Sequence, residues 1–353
     1  MRIPGSLLTT LITQSSGRQH TQPVAGLRFN LLAAAISVWA VFGVYLDGWA
    51  HYHIPDLDSF YTWWHAVLYS GVSIGGIILT IIGLRNYGRG LPLAQTLPRG
   101  YGLTYVGIGL FACGGVGDML WHTLFGIEIG IEALLSPTHL MLAVGGVLAV
   151  SGPLQAAKKS RLDALPTLAQ IPIVISVSCT LSIVSYITAF AHPLVYPWAG
   201  LDHRPDAIWF GQALGIAAIV LQSAILMTIL LPVVARWRLM PGSFTMILTL
   251  NAIALSVIQY TFALISVAVL AGLLCDLLYG QLKPFTGEAV AFQIFAFAVP
   301  TLFYSVYFLV LLLTEGLWWS PHLFCGASFM AGLVGWLISR LMIAPLTVHH
   351  RGS

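Results

Sequence analysis

Charge is what this sequence has least of. Only 8% of its 353 residues are Asp, Glu, Lys or Arg, against 58% hydrophobic, and the mean hydropathy is +0.88. A soluble domain needs far more polar surface than that, so the composition excludes one. Cysteine is scarce too. Cys113, Cys179, Cys275 and Cys325 stand singly, a spacing that excludes a CxxC metal site and matches no obvious disulfide framework. Phosphate-loop, nucleophile-elbow and HExxH zinc signatures are missing. The basic residues come in small groups between apolar runs, which argues against a nucleic-acid surface. The stretch Leu7–Ile12 lacks the apolar core and cleavage site of a signal peptide.

Apolar runs of about twenty residues fill most of the remaining chain, the length that crosses roughly 30 Å of hydrocarbon as helix. The fold class expected is an all-α, polytopic transmembrane helix bundle of eight or nine spans. Their approximate limits are 28–51, 63–85, 101–123, 137–157, 168–191, 207–235, 243–275, 289–313 and 321–343. The seventh window is longer than one span needs. Residues 1–27 read as a cytoplasmic arm, 28–157 as two motif-bearing hairpins, 158–343 as the remaining bundle and 344–353 as a polar tail. Arg2, Arg18, Arg28, Arg85, Arg89, Arg99, Lys158, Lys159, Arg161, Arg236 and Arg238 fall at alternate connections. The positive-inside rule makes those connections, and the amino terminus, cytoplasmic. Ten of the twelve acids, Asp276 and Glu288 among them, are assigned to the opposite side. A ninth span leaves His349, His350 and Arg351 on that opposite side, against the charge rule. Trp49, Trp63, Trp64, Trp121, Trp198, Trp209, Trp318 and Trp319 gather at span ends as an aromatic belt.

The few ionisable residues inside or beside the spans form a pattern written twice. Asp47-Gly-Trp-Ala-His51 is followed by His65, and Asp118-Met-Leu-Trp-His122 by His139. Residues four apart share a helical face, so each Asp-x3-His points one carboxylate and one imidazole the same way. A histidine opening the next helix returns to the same depth across a short turn. Both returning histidines precede a glycine by six positions (Gly71, Gly145), and both follow an acid by seven (Asp58, Glu132). Asp58 or Glu132 could complete each set or orient an imidazole, and His53 is a further candidate. Thr188-x3-His192, leading to Trp209 and Gln212, reads as a worn third copy; a fourth could run from Asp276 to Gln293.

Carboxylate and imidazole ligands without thiolate suit copper(II), non-haem iron or zinc. Ionisable groups in a membrane are costly and mark function. Three metal functions fit: a copper or iron oxidase or monooxygenase; a transporter or assembly factor that handles metal without redox chemistry; and a zinc-dependent intramembrane hydrolase. The remaining alternative is a purely structural membrane subunit. A small apolar substrate could enter from lipid. The setting is a bacterial inner membrane or its equivalent, with the motifs on the non-cytoplasmic side.

From Asp47-Gly-Trp-Ala-His51 through Asp56-Leu-Asp58-Ser-Phe-Tyr-Thr-Trp-Trp-His65 the chain resembles the C subunit of the particulate methane and ammonia monooxygenases. The likeness covers about thirty residues. In that family an Asp-Gly-x-x-His helix end leads through an Asp-x-Asp-Phe-Thr-Pro loop to a second histidine, and the three bind copper near the outer membrane face. The resemblance therefore implies copper at Asp47, His51 and His65, and by the Ser136-Pro137-Thr138-His139 approach, at Asp118, His122 and His139. It also implies other membrane subunits as partners, with a homo-oligomer as the alternative. Here Trp64 stands where the family has a small residue after proline, and the loop from Asp58 to His65 is longer.

Overall fold

The computed structural model describes residues 12–13, 21–54, 61–126, 128, 130–160 and 165–348. Asp56, Asp58, most of the amino-terminal arm and the tail carrying His349, His350 and Arg351 lie outside these. Among the described residues the α-helices are α1 (Leu27–His53), α2 (Trp63–Gly88), α3 (Gly102–Phe125), α4 (Ile131–Leu135), α5 (Pro137–Val150), α6 (Gly152–Lys158), α7 (Thr167–Ile187), α8 (Ile208–Val234), α9 (Ser243–Gln259), α10 (Ile265–Leu282), α11 (Ala289–Thr314) and α12 (Pro321–Val348). Two-residue strands, Ile12–Thr13 and Val24–Ala25, pair antiparallel. Eight helices are long and apolar enough to cross a bilayer: α1, α2, α3, α7, α8, α10 with its leading turn, α11 and α12. Taken as one span bent by 50°, α5 and α6 make a ninth. The bend falls at Ser151-Gly152-Pro153, where proline removes a backbone donor and glycine loosens the turn. Helices dominate because lipid offers the backbone no partner of its own.

The chain divides into two compact units, 1–183 and 184–353. In the first, α1 and α2 form one hairpin and α3 and α5 another, with matching contacts. A Cβ on Gly71 would stand 2.9 Å from the Cα of Ala40, and one on Gly145 would stand 2.6 Å from the backbone nitrogen of Phe111. Ala40 lies seven residues before Asp47, and Phe111 seven before Asp118. One turn nearer the ligands, Gly43 faces Leu68 and Gly114 faces Leu142, again at equal offsets. Small residues let the backbones approach where apolar burial gives helices no reason to associate. Arg28, Arg85, Arg99 and Lys158 lie at the end of this unit away from the Asp-x3-His segments.

The second unit corrects the seventh expected span. Residues 243–282 form not one rod but two antiparallel helices. Asp276 near the end of α10 accepts hydrogen bonds from the start of α9: Thr245 N at 2.9 Å, Thr245 Oγ1 at 2.7 Å and Phe244 N at 3.3 Å. The chain reverses at Tyr260, whose φ of 56° is left-handed, without the glycine or proline that would announce a turn. Asp276 and Glu288 therefore share a face with Arg236 and Arg238 rather than opposing them. Tyr279 accepts from the Leu239 amide at 2.9 Å, and Arg238 lies 5.4 Å over the Phe285 ring. Because α12 runs antiparallel to α11, with Gly335 against Ala296 and Phe324 against Phe308, its carboxyl end returns to this same basic face.

Candidate metal centre

Asp47 and His51 project from the last turns of α1, and His65 from the first turn of α2. Asp118 and His122 on α3 and His139 on α5 repeat the arrangement. In each set one ligand atom per residue lies within 4.8 Å of the other two, and these two groups could each hold a metal ion. His65 Nε2 is 3.3 Å and His51 Nε2 3.8 Å from the Asp47 carboxylate. His122 Nε2 is 3.4 Å and His139 Nε2 3.6 Å from that of Asp118.

Helix capping explains how the returning histidines are aimed. Thr62 and Ser136 are the N-caps of α2 and α5, and each accepts from the backbone amide three residues on, His65 or His139, at 3.3 Å. That is the usual N-cap geometry. In a capping box the third residue is Glu or Gln and its side chain reaches back to the cap; here the side chain is imidazole. Thr62 Oγ1 lies 3.2 Å from His65 Nδ1, and Ser136 Oγ 2.6 Å from His139 Nδ1. With Nδ1–H donating to the hydroxyl, Nε2 presents its lone pair to the aspartate, the tautomer a metal requires.

The donor chemistry fits a cation. Asp47 Oδ1 is buried and makes no hydrogen bond, although His65 Nε2 is close. A carboxylate lone pair facing an imidazole lone pair repels, and burying the charge unpaired in an apolar bundle is costly. A cation between them reverses both effects. Each triad carries one formal negative charge when its histidines are neutral, which suits a divalent ion with a position left open.

Three supporting groups were not singled out by sequence. Thr138 Oγ1 donates to Asp118 Oδ1 at 2.9 Å. Glu128 Oε2 lies 3.4 Å from His122 Nδ1, and the Trp121 indole N–H donates to Glu128 Oε1. Thr62 and Ser136 form the third, and the hydroxyl residue three before each returning histidine was the signal that could have found them. Glu132, expected to support this triad, is exposed on the first turn of α4, and Glu128 stands at the imidazole instead. His53 bonds through Nδ1 to the Trp49 carbonyl at 2.9 Å and stacks on that indole. Asp58 is outside the described residues.

The suggested third copy forms no metal-binding group among the described residues. Burial pushes the His192 imidazole down to about 3, so it is neutral. Its Nδ1 accepts from the Leu194 amide at 3.1 Å, and Gln222 caps the turn through Thr188 Oγ1 and the Ala191 carbonyl, both at 3.0 Å.

The two triads are neighbours within the first unit. Tyr61 at the entry to α2 donates to Met119 Sδ at 3.5 Å, beside Asp118. No family model, curated protein or solved structure matches this chain. What is established is a membrane-type helical protein with two buried Asp/His/His groups able to hold metal.

Proposed function

We propose that the protein is a copper-binding membrane oxidase or monooxygenase, distantly related to the C subunit of the particulate methane and ammonia monooxygenases. The carrying observation is the buried Asp47 Oδ1 that makes no hydrogen bond beside an imidazole nitrogen, in a ligand set made of carboxylate and imidazole alone. Such ligands favour copper(II) or iron over the soft ions that thiolate sites select. A bound ion would supply Lewis acidity and one-electron chemistry at its open position. The chain's own residues do the rest: Asp47 and Asp118 balance charge, the four histidines fix geometry, and the two caps hold the tautomer. The charge rule applied to the basic connections favours a non-cytoplasmic side for the triads.

An apolar cavity below the triads supports a small apolar substrate. It measures about 50 Å³ and is lined among others by Ala40, Gly71, Val72, Gly75 and Ile108. Its lining runs from Phe29, Tyr101 and Pro153 up to Ala40, so that Ala40, seven residues or roughly 10 Å along the helix from Asp47, is its edge nearest the triads. An engineered cavity of about 150 Å³ admits benzene, so this one suits a guest of very few heavy atoms. Such a lining disfavours ion permeation, which needs polar groups through the inner half of the bundle.

Metal analysis and electron paramagnetic resonance on the full chain test this reading. Wild type should bind two equivalents of copper(II) with a type-2 signal, and Asp47→Ala and Asp118→Ala should each lose one. Stoichiometric zinc with no paramagnetic signal would overturn the copper reading in favour of a hydrolase, and binding of no metal would overturn any metal function.

A further inference from the structure

We propose that the basic end of the first unit binds one anionic phospholipid, its phosphate held by Arg99 and Lys159 and the start of its acyl chains by an apolar floor. The site lies at the end of the hairpins away from the metal triads and does not depend on the metal reading. A cavity of about 360 Å³ opens there, lined from the start of α1, the connection into α3, the end of α6 and the start of α7. Small-molecule sites commonly measure ~300–1,000 Å³. The floor includes Pro153, Ala157, Pro172 and Ile173, all buried, and the rim Leu27, Arg99 and Lys159, all exposed. Backbone contacts hold the two cations to one rim. A Cβ on Gly100 would stand 2.5 Å from the Cα of Ala156, and the φ of 99° there suits glycine. Arg99 precedes that contact by one residue and Lys159 follows it by three, about one turn, so both flank the same crossing. The Arg99 amide also donates to the Pro23 carbonyl at 2.8 Å, and Gln22 Nε2 to the Leu97 carbonyl at 3.1 Å. These bonds tie the segment before α1 to the same loop.

Charge and apolarity together define the ligand. Among the described residues lining the cavity there is no carboxylate to neutralise the two cations. A guanidinium fork beside an ammonium matches phosphate. A site for free phosphate would be polar on every side, whereas this one has cations at the mouth and carbon beneath them. Basic pockets between the ends of spanning helices are where anionic head groups dock. A zwitterionic lipid brings a cation of its own, which two basic side chains repel. The cavity has room for a phosphoglycerol head and the first carbons of its chains, the remainder lying in the bilayer.

Native mass spectrometry of the delipidated full chain, titrated with phosphatidylglycerol or phosphatidylcholine, tests this. Wild type should bind one phosphatidylglycerol about tenfold or more tightly than phosphatidylcholine, the worth of hydrogen bonds to a charged group, and less so as salt is raised. Arg99→Gln and Lys159→Gln should each remove most of that preference, and Arg99→Lys should keep part of it. Both side chains are exposed, so the variants should melt with wild type in phosphatidylcholine. Ala169→Leu, which fills the apolar lining and keeps both charges, should also weaken phosphatidylglycerol. Arg85→Gln, an exposed cation at the same end, should leave it unchanged. Equal affinity for the two lipids, or an equal loss from Arg85→Gln and Arg99→Gln, overturns the proposal in favour of diffuse surface attraction. Inorganic phosphate that displaces phosphatidylglycerol and binds Ala169→Leu as it binds wild type would make the ligand free phosphate and overturn the lipid.

Discussion

The two hairpins of the first unit share a skeleton and differ in what surrounds it. Both use a glycine against the facing backbone, a histidine at the third helical position, and a hydroxyl cap behind it. The first is the more open. The Asp47 side chain is 10% exposed against 2% for Asp118, and its most accessible ligand is His51 of the outgoing helix. In the second hairpin the accessible ligand is His139 of the returning helix, at 21%. Asp118 also receives Thr138, and His122 has Glu128 behind it, whereas Asp47 Oδ1 makes no hydrogen bond. Equal geometry with unequal support teaches that the triads should bind the same ion with different affinity, the second more tightly.

The backbone contacts allow the harshest break of the comparison. Gly145→Val and Gly71→Val each drive a side chain into a facing backbone that cannot yield as a flexible side chain would. Overpacking costs ~1–3 kcal/mol where neighbours can move, and more is expected here. The shorter approach at Gly145, 2.6 Å against 2.9 Å, makes it the worse of the two. Thermal unfolding in detergent, with the metal content of what remains folded, checks the order; equal melting of both variants and wild type would refute the close-contact account.

Glu128 is the next lever. Outer carboxylates on ligating histidines are worth about 10–100-fold in metal affinity. Glu128→Gln should weaken the second site by that order and leave the first unchanged, abolishing or inverting the ranking of the two. A competition titration with a chelator, run also on Asp47→Ala to isolate the second site, reads this directly. An equal effect on both sites would mean that Glu128 does not act through His122.

Much of this was legible from residues, and the failures have physical causes. Asp-x3-His followed by a returning histidine determines which atoms converge, because helical periodicity and hairpin return leave little freedom. Length and apolarity likewise mark α1, α2, α3, α7, α8, α11 and α12. The reversal at Tyr260 was not legible: Ser256-Val-Ile-Gln-Tyr-Thr-Phe262 continues an apolar helix by every local preference. Beside the left-handed residue Thr261 Oγ1 donates to the Leu194 carbonyl at 2.6 Å, sixty-seven positions away, a contact that no local pattern announces. That one missed turn misplaced Asp276 and Glu288 as well. The seven-residue offset from His139 points to Glu132, but the chain turns at Gly126 and Gly130, with φ of 85° and 70°, and it is Glu128 that faces His122.

The caps give the smallest and most discriminating test, because helix start and tautomer control can be separated at one atom. Replacing an N-cap hydroxyl with alanine costs ~1 kcal/mol of helix stability, whereas glycine costs only a few tenths. Ser136→Gly and Thr62→Gly should therefore leave α5 and α2 in place while removing the acceptor behind His139 and His65. Without it Nδ1 and Nε2 compete for the proton, and half or more of the imidazoles present N–H where the metal needs a lone pair. A few-fold loss of affinity is expected at each site. It should be greater for Ser136, whose oxygen lies 2.6 Å from its imidazole nitrogen, than for Thr62 at 3.2 Å. Affinity lost in the alanine variants and retained in the glycine variants would assign the hydroxyls to helix initiation alone. Thr62→Ser, which keeps the oxygen and drops the methyl, should match wild type if the hydrogen bond is what aims His65.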